Sequence, residues 1–306
     1  METSVDIILL NYNTQPMLKN CIKSIEKHTK FSYRLIIIDN NSQDESKKYL
    51  NRLRKKDMTL VYNKKNLGVS KAWNQGIKKG KGKYILFLNP DTLVSPNWLT
   101  KIVHCVESDK KIAVVGTKQI NEKGRIVHGG ILEKNGRRIN RGFGQKNSPN
   151  KFNKICDCVT VWGACLLIKR ENIPIIGYFD EQYFMYAEET DYTFRARLLG
   201  FRVVYCPVTI THFVEGSPIN DDERRKIHQR SSNILLEKKR LISPKVLKSS
   251  KLIKGEKPEI YLVHGGEKHL IPNKSIIDRL NLNNKNIKTL PQKQVDRIPT
   301  GIIIYI

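Results

Sequence analysis

Tyr84-Ile85-Leu86-Phe87-Leu88-Asn89-Pro90-Asp91-Thr92 is the stretch that decides the fold. Its apolar run is short and unalternating, which reads as a strand covered on both faces. Asn89-Pro90-Asp91 then breaks the run and sets a carboxylate at the strand's mouth. The same grammar occurs upstream, where Leu35 to Ile38 runs into Asp39-Asn40-Asn41-Ser42. Working outward, Val5 to Leu10, Leu60 to Tyr62 and Ile112 to Val115 are further strands. Helical spacing lies between them. Residues 16–28 carry Leu18, Ile22 and Ile25 on one stripe, and Ser42 with Glu45 suggests a capping box opening a second helix. Residues 69–79 end at Gly80, and Pro96 to Val106 form another helix. Strands alternating with helices predict an α/β fold, a Rossmann-like, mostly parallel sheet flanked by helices with right-handed crossovers.

Residues 120–155 differ, with Gly124, Gly129, Gly130, Gly136, Gly142 and Gly144 punctuating short polar segments, as in hairpins and loops. Regular structure resumes at Val159 to Ile168, with a helix over 186–199 closed by Gly200, a strand at Phe201 to Cys206 and a charged helix over 220–240. The expected organisation is a main domain over 1–240, a basic linker over 241–258 and a small β-rich module over 259–306. In the linker Lys245, Lys248, Lys251, Lys254 and Lys257 recur every third residue.

The 306 residues carry 55 Lys+Arg against 29 Asp+Glu, a net charge of +26. Phosphorylated substrates, an anionic membrane surface or nucleic acid could draw on that excess, and a solvated lysine-rich surface needs no partner. Nucleic acid is the weakest of these, since there is no C₂H₂ spacing, RNP-like aromatic motif or recognition helix. No apolar stretch approaches the roughly 20 residues of a spanning helix, and the first residues do not read as a signal peptide. The six cysteines sit mostly among apolar neighbours, as reduced core cysteines do, so the expected location is the cytoplasm.

Four groups carry chemistry. Asp39, at a strand end, can accept from a base N–H or a ribose hydroxyl, although Asp-Asn-Asn-Ser also suits a turn. Asp91 can hold a hard divalent cation, Mn²⁺ or Mg²⁺, with diphosphate oxygens completing the shell. Glu188, Glu189 and Asp191 open a helix, where they favour its dipole. They follow the aromatic run Tyr183-Phe184-Met185-Tyr186, beside apolar surface that can raise a carboxylate into the range of a general base. His212 follows a strand, where a lone histidine often serves structure, and its place after the acidic helix points to metal ligation.

These motifs, in this order, resemble glycosyltransferase family 2, the inverting family with the nucleotide-sugar-binding GT-A architecture, and most of all its rhamnosyltransferase-like branch. The resemblance spans roughly residues 5–215. Its carriers are Asn11-Tyr12-Asn13, Ile38 to Ser42, Asn66-Leu67-Gly68 through Asn74-Gln75-Gly76, Leu88 to Thr92, Trp162-Gly163-Ala164, Phe179-Asp180 through Arg195, and His212. It implies that Asn11, Tyr12, Asp39, Asn66, Asn74, Asn89, Trp162 and Gly163 bind the nucleotide sugar, Tyr12 by stacking on the base. It implies that Asp91 and His212 hold the metal. The family's Glu-Asp pair falls on Glu188-Glu189, so the base is open between Glu189, Glu188 and Asp191, with Glu189 favoured by position.

The implied activity is transfer of a hexosyl or deoxyhexosyl unit to a glycan or lipid-linked acceptor in polysaccharide biosynthesis, at the inner face of the membrane. A catalytically idle sugar-nucleotide binder or scaffold is the alternative. The C-terminal module resembles, more loosely, a unit appended to bacterial surface and carbohydrate-active proteins.

Overall fold

The computed structural model describes residues 4–53, 58–148, 151–214, 219–283 and 285–305. Its first part alternates as expected: β1 (Val5–Asn11), α1 (Gln15–His28), β2 (Tyr33–Asp39), α2 (Ser46–Leu53), β3 (Met58–Tyr62), α3 (Val69–Lys79), β4 (Tyr84–Leu88), β5 (Thr92–Val94), α4 (Trp98–Glu107) and β6 (Ile112–Ile120). The glycine-punctuated region holds the short strands β7 (Ile126–His128), β8 (Ile131–Lys134), β9 (Arg137–Asn140) and β10 (Cys156–Asp157). Then come β11 (Cys165–Lys169), α5 (Ile173–Ile176), α6 (Glu188–Leu198), β12 (Arg202–His212) and α7 (Asp221–Leu241).

The main sheet runs β10-β12-β6-β11-β4-β1-β2-β3. β3, β2, β1 and β4 are parallel neighbours, as are β12 and β6. β11 lies antiparallel between β4 and β6. It returns from the hairpin region without a crossover helix, and a strand entered that way runs against its neighbour. Both faces are apolar. Ile7, Leu9, Ile37 and Leu86 pack with Leu18, Ile22 and Trp98 on one side. Ile8, Ile36, Ile85 and Phe87 pack with Trp73, Ile77 and Tyr192 on the other. This double covering is why the strand sequences do not alternate.

The capping box expected at Ser42 and Glu45 does not form. α2 starts later, its Ser46 N–H donating to Asp44 Oδ1 at 3.0 Å. Ser42 Oγ instead accepts from Asn11 Nδ2 at 2.9 Å and Asn13 N at 3.0 Å, tying the β2 turn to β1.

A second sheet, in the order β15-β14-β13-β16, is built from β13 (Lys251–Lys254), β14 (Ile260–His264), β15 (Glu267–Ile271) and β16 (Ile287–Thr289). α8 (Pro244–Ser249), α9 (Lys274–Arg279) and α10 (Gln292–Arg297) accompany it. Leu241, Val246, Leu252, Leu262, Ile271, Ile276 and Ile304 share its core. The stretch 241–258, expected to be a linker, therefore contains α8 and β13. Its five periodic lysines are exposed while Val246, Leu252 and Ile253 are buried, so the period marks the outer surface of folded elements. No helix among the described residues is long and apolar enough to cross a membrane, and all six cysteines are free.

The chain lays β2 and β3 on one side of β1 and β4 on the other. Such a reversal opens a crevice beyond the carboxyl ends of the strands. Register sets Asn11 beside Asp39 and Asp39 beside Tyr62, with Leu9 beside Leu88.

Candidate active site

A cleft lies at that reversal, walled by Tyr12, Asn40, Asn66, Trp73, Asn89 and Asp91, with Phe184 and Met185 closing one side. Trp73 is braced by Phe87 at 4.5 Å and Phe179 at 4.9 Å between ring centroids, and Phe179 stacks on Tyr192 at 4.7 Å. Asn40 knits the floor. Its Nδ2 donates to Asn66 Oδ1 at 2.6 Å, and its Oδ1 accepts from Asn63 Nδ2 at 2.9 Å and Leu67 N at 3.1 Å. Gly68 has φ +78°, and a Cβ there would lie 2.4 Å from Phe184 O. Only glycine tolerates that approach, which lets Val69 N donate to Phe184 O at 2.5 Å.

Asp91 sits in a turn closed by Thr92 Oγ1 donating to Asn89 O at 2.7 Å. The carboxylate is nearly buried, with Oδ2 3.4 Å from His212 Nε2. Its Oδ1 is buried and has no hydrogen-bond partner among the described residues. His212 Nδ1 lies 2.9 Å from Gln119 Oε1. If Nδ1 carries the proton and donates to that oxygen, Nε2 turns a lone pair toward Asp91. A lone pair facing a carboxylate with an unpartnered oxygen is a donor set suited to a cation. No group of three or more His, Cys, Asp or Glu placed to hold a metal occurs among the described residues, so the protein offers this pair. Beneath it, His128 stacks on Trp162 at 4.9 Å and accepts from Trp162 N at 3.1 Å. Burial, then the neighbouring His212, pushes His128 down to about 3.

The structure divides the residues expected to bind the nucleotide sugar. Tyr12, Asn66, Asn89 and Asp91 line the cleft. Asp39 does not. It has no exposed surface, Oδ1 accepts from Ser42 N at 3.0 Å and Oδ2 from Asn11 Nδ2 at 3.0 Å. Asn11 is equally buried and also accepts from Thr14 Oγ1 at 2.8 Å, so both residues lock strand ends behind the wall. Asn74 points away from the cleft, exchanging hydrogen bonds with the Phe179 backbone at 2.8 and 3.0 Å. Gly163 serves packing, since a Cβ there would lie 2.7 Å from the Trp73 ring. Trp162 is partly exposed on its histidine platform, outside the cleft wall.

The three carboxylates of α6 also separate. Asp191 has no exposure and is held by Lys238 Nζ at 2.5 Å and Arg195 Nε at 2.8 Å. Burial alone would raise its pKa, but those two charges hold it below the usual value. An ionised carboxylate in that grip is a structural anion, which corrects its candidacy as the base. Glu188 is 6% exposed, and among the described residues it faces no cation and its Oε2 lacks a partner. Burial, and then the adjacent Glu189 charge, raises it well above its ordinary value. Glu189 is partly exposed and is raised too, by burial. Just before the pair, Tyr186 and Ala187 have φ +67° and +65°. Consecutive left-handed non-glycines store strain that their surroundings must hold.

Thus Asp91 and His212 form one cluster, Glu188 and Glu189 follow the Met185 wall, and Asp39 stands behind. Asn40, Trp73, Gln119, His128 and Lys238 were not singled out as site residues in the sequence. Asn40 has a local signal, its place in the Asp39 turn. The others are defined by partners distant in the chain.

The glycosyl transferase family 2 model matches residues 6–173. The low-salt glycan biosynthesis hexosyltransferase Agl10 of Haloferax volcanii is 23% identical over 213 residues, 68% of this chain and 66% of that protein. The poly-beta-1,6-N-acetyl-D-glucosamine synthase of Staphylococcus aureus is 22% identical over 219 residues, covering 67% of this chain and 48% of its own. The matches thus span just under two thirds of the first relative and about half of the second. Among solved structures, GalNAc-T7 with UDP, GalNAc and Mn²⁺ superposes with TM-score 0.59 at 18% identity, over 71% of this chain and 44% of that one. The mannosyltransferase PcManGT from Pyrobaculum calidifontis, in complex with GDP-Man and Mn²⁺, gives 0.52 at 15%, over 79% and 63%. At these identities the likeness is one of fold, the GT-A arrangement.

Proposed function

The chain belongs to glycosyltransferase family 2, and we propose that its cleft moves a hexosyl or deoxyhexosyl unit from a nucleoside-diphosphate sugar to a hydroxyl of a glycan or lipid-linked acceptor, with inversion. The observation that carries this reading is the buried Asp91 carboxylate in the cleft, its Oδ2 3.4 Å from His212 Nε2 and its Oδ1 without a partner among the described residues. That pair is suited to Mn²⁺ or Mg²⁺, the remaining positions falling to water and diphosphate oxygens. When bound, the cation supplies neutralisation of charge growing on the departing diphosphate.

The chain's own residues do the rest. Asn40 and Asn66 present a fixed polar wall, and Tyr12 an aromatic face, to the nucleoside. Glu189, partly exposed and raised by burial, takes the proton from the acceptor hydroxyl as it attacks the anomeric carbon. One displacement inverts the centre and needs no covalent intermediate. The five exposed lysines at positions 245–257 supply an electrostatic contact with an anionic membrane, each contributing ~1 kcal/mol near the surface.

The test is a screen of nucleotide sugars with manganese, reading release of nucleoside diphosphate by the parent, Asp91→Asn and Glu189→Gln. Turnover by the parent and a ~10²-fold or greater loss in Glu189→Gln are expected. Variants that match the parent would sink the assignment, and binding without turnover would favour an idle sugar-nucleotide binder.

A further inference from the structure

α7 is polar along most of its length, yet Lys238 on it has no exposed surface. Fully buried lysines are rare and costly unless paired. Its Nζ lies 2.7 Å from Asp180 Oδ2 and 2.5 Å from Asp191 Oδ1. Asp191 Oδ2 also accepts from Arg195 Nε at 2.8 Å, and Arg195 donates onward to Ile176 O at 2.5 Å and Tyr178 O at 2.9 Å. Two cations and two anions thus close a neutral set beneath the start of α6.

The same helix touches the segment twice more. Ser231 Oγ donates to Met185 O at 2.7 Å, and the His228 ring sits 5.5 Å from that of Tyr186. Met185 walls the cleft, and Tyr186 and Ala187 are the two strained residues before Glu188. The hold extends to the C-terminal module. Gln182 Nε2 donates to Asp180 Oδ2 at 2.9 Å and Ile303 O at 3.0 Å, while Ile303 N donates to Gln182 Oε1 at 2.8 Å. Besides the Val69–Phe184 backbone bond, the segment 180–191 is therefore fastened by α7 and the C-terminal module, both outside the family match, on the stretch where strain requires fastening.

We propose that Lys238 is a positioning residue for glycosyl transfer. Through Asp180 and Asp191 it fixes the 180–191 segment, and with it the Glu188–Glu189 pair, against the cleft, and Gln182 carries that hold into the C-terminal module. The proposal rests on the reading that this pair contains the base.

The experiment compares full-length parent, Lys238→Met, Lys238→Arg and Gln182→Ala by amide hydrogen exchange, and by nucleoside-diphosphate release from the donor found in the manganese screen. In Lys238→Met, amides 183–191 are expected to exchange ~10-fold or more faster while α1 and α4 are unchanged. kcat falls ~10²-fold, as for a misplaced reacting group. Donor KM rises by much less than kcat falls, since the Phe184–Met185 wall loosens while the Asp91 side of the cleft is untouched. Lys238→Arg restores part of both, and Gln182→Ala moves both in the same direction by less. If Lys238→Met does not fold, Gln182→Ala and Lys238→Arg decide. Unchanged exchange over 183–191, or a folded variant with parental kcat, overturns the proposal. A parent that turns over no donor defeats the transferase reading instead, and selective exchange then supports the clamp by itself.

Discussion

Asp39 and Asp91 stand at the ends of β2 and β4, the two strands that flank β1, and each is followed by turn residues. One is consumed by the fold and the other is left open. Asp39 meets Asn11 from β1 and the Ser42 amide from its own turn, which engage both of its oxygens. Among the described residues the Asp91 carboxylate meets the His212 ring through one oxygen, and its other oxygen has no partner. Local sequence makes the two acids equivalent, and the neighbouring elements make them opposites. α6 repeats the contrast within one turn, where Asp191 is gripped by Lys238 and Arg195 and Glu188 by no cation among the described residues.

The comparison breaks if Asp91→Asn behaves like Asp39→Asn. Asp91→Asn should cost turnover on the order of 10³-fold, the equivalent of several kcal/mol of lost charge stabilisation. Its unfolding free energy by urea titration should move by less than ~1 kcal/mol, because Oδ1 has no bond to lose.

Asp191→Asn should show the reverse balance. It leaves the fully buried Lys238 and Arg195 short of an anion, with an expected loss of ~3 kcal/mol or more in urea unfolding. Its folded pKa is lowered, so its contribution is present above the ordinary aspartate value and is lost as pH falls through the folded one.

The Glu188–Glu189 pair sharpens the contrast by pH. Glu188 is raised, so between its ordinary and its folded value the native state binds the extra proton. Stability therefore falls as pH climbs through that window, and Glu188→Gln should flatten the slope. Turnover should rise with pH over the same range as the pair loses its proton, to a plateau above it. A rate independent of pH from ordinary carboxylate values upward would remove both glutamates as the base.

Asp39→Asn should be the mildest of the set. Its amide group would confront the Ser42 N–H or Asn11 Nδ2, leaving a buried donor unpaired, for ~1–2 kcal/mol in stability. Donor turnover per folded molecule should stay within several-fold of the parent.

Several parts of this molecule are written locally. The unalternating runs at β1, β2 and β4 announce strands covered on both faces, because side-chain hydrophobicity over five residues suffices to say so. Asp91 and Glu188–Glu189 are legible for a similar reason: a strand end or a helix start is defined by its own neighbours. The sequence by itself also marked the glycine-rich hairpin region. Only the tertiary structure decided which acids are free. Lys238 lies 47 residues from Asp191 and 58 from Asp180, and Gln119 lies 93 from His212. The antiparallel entry of β11 and the folding of 241–258 into the second core are of the same kind. A carboxylate's chemistry depends on which charges and donors stand within a few ångströms in space, and chain-local pattern carries no record of that.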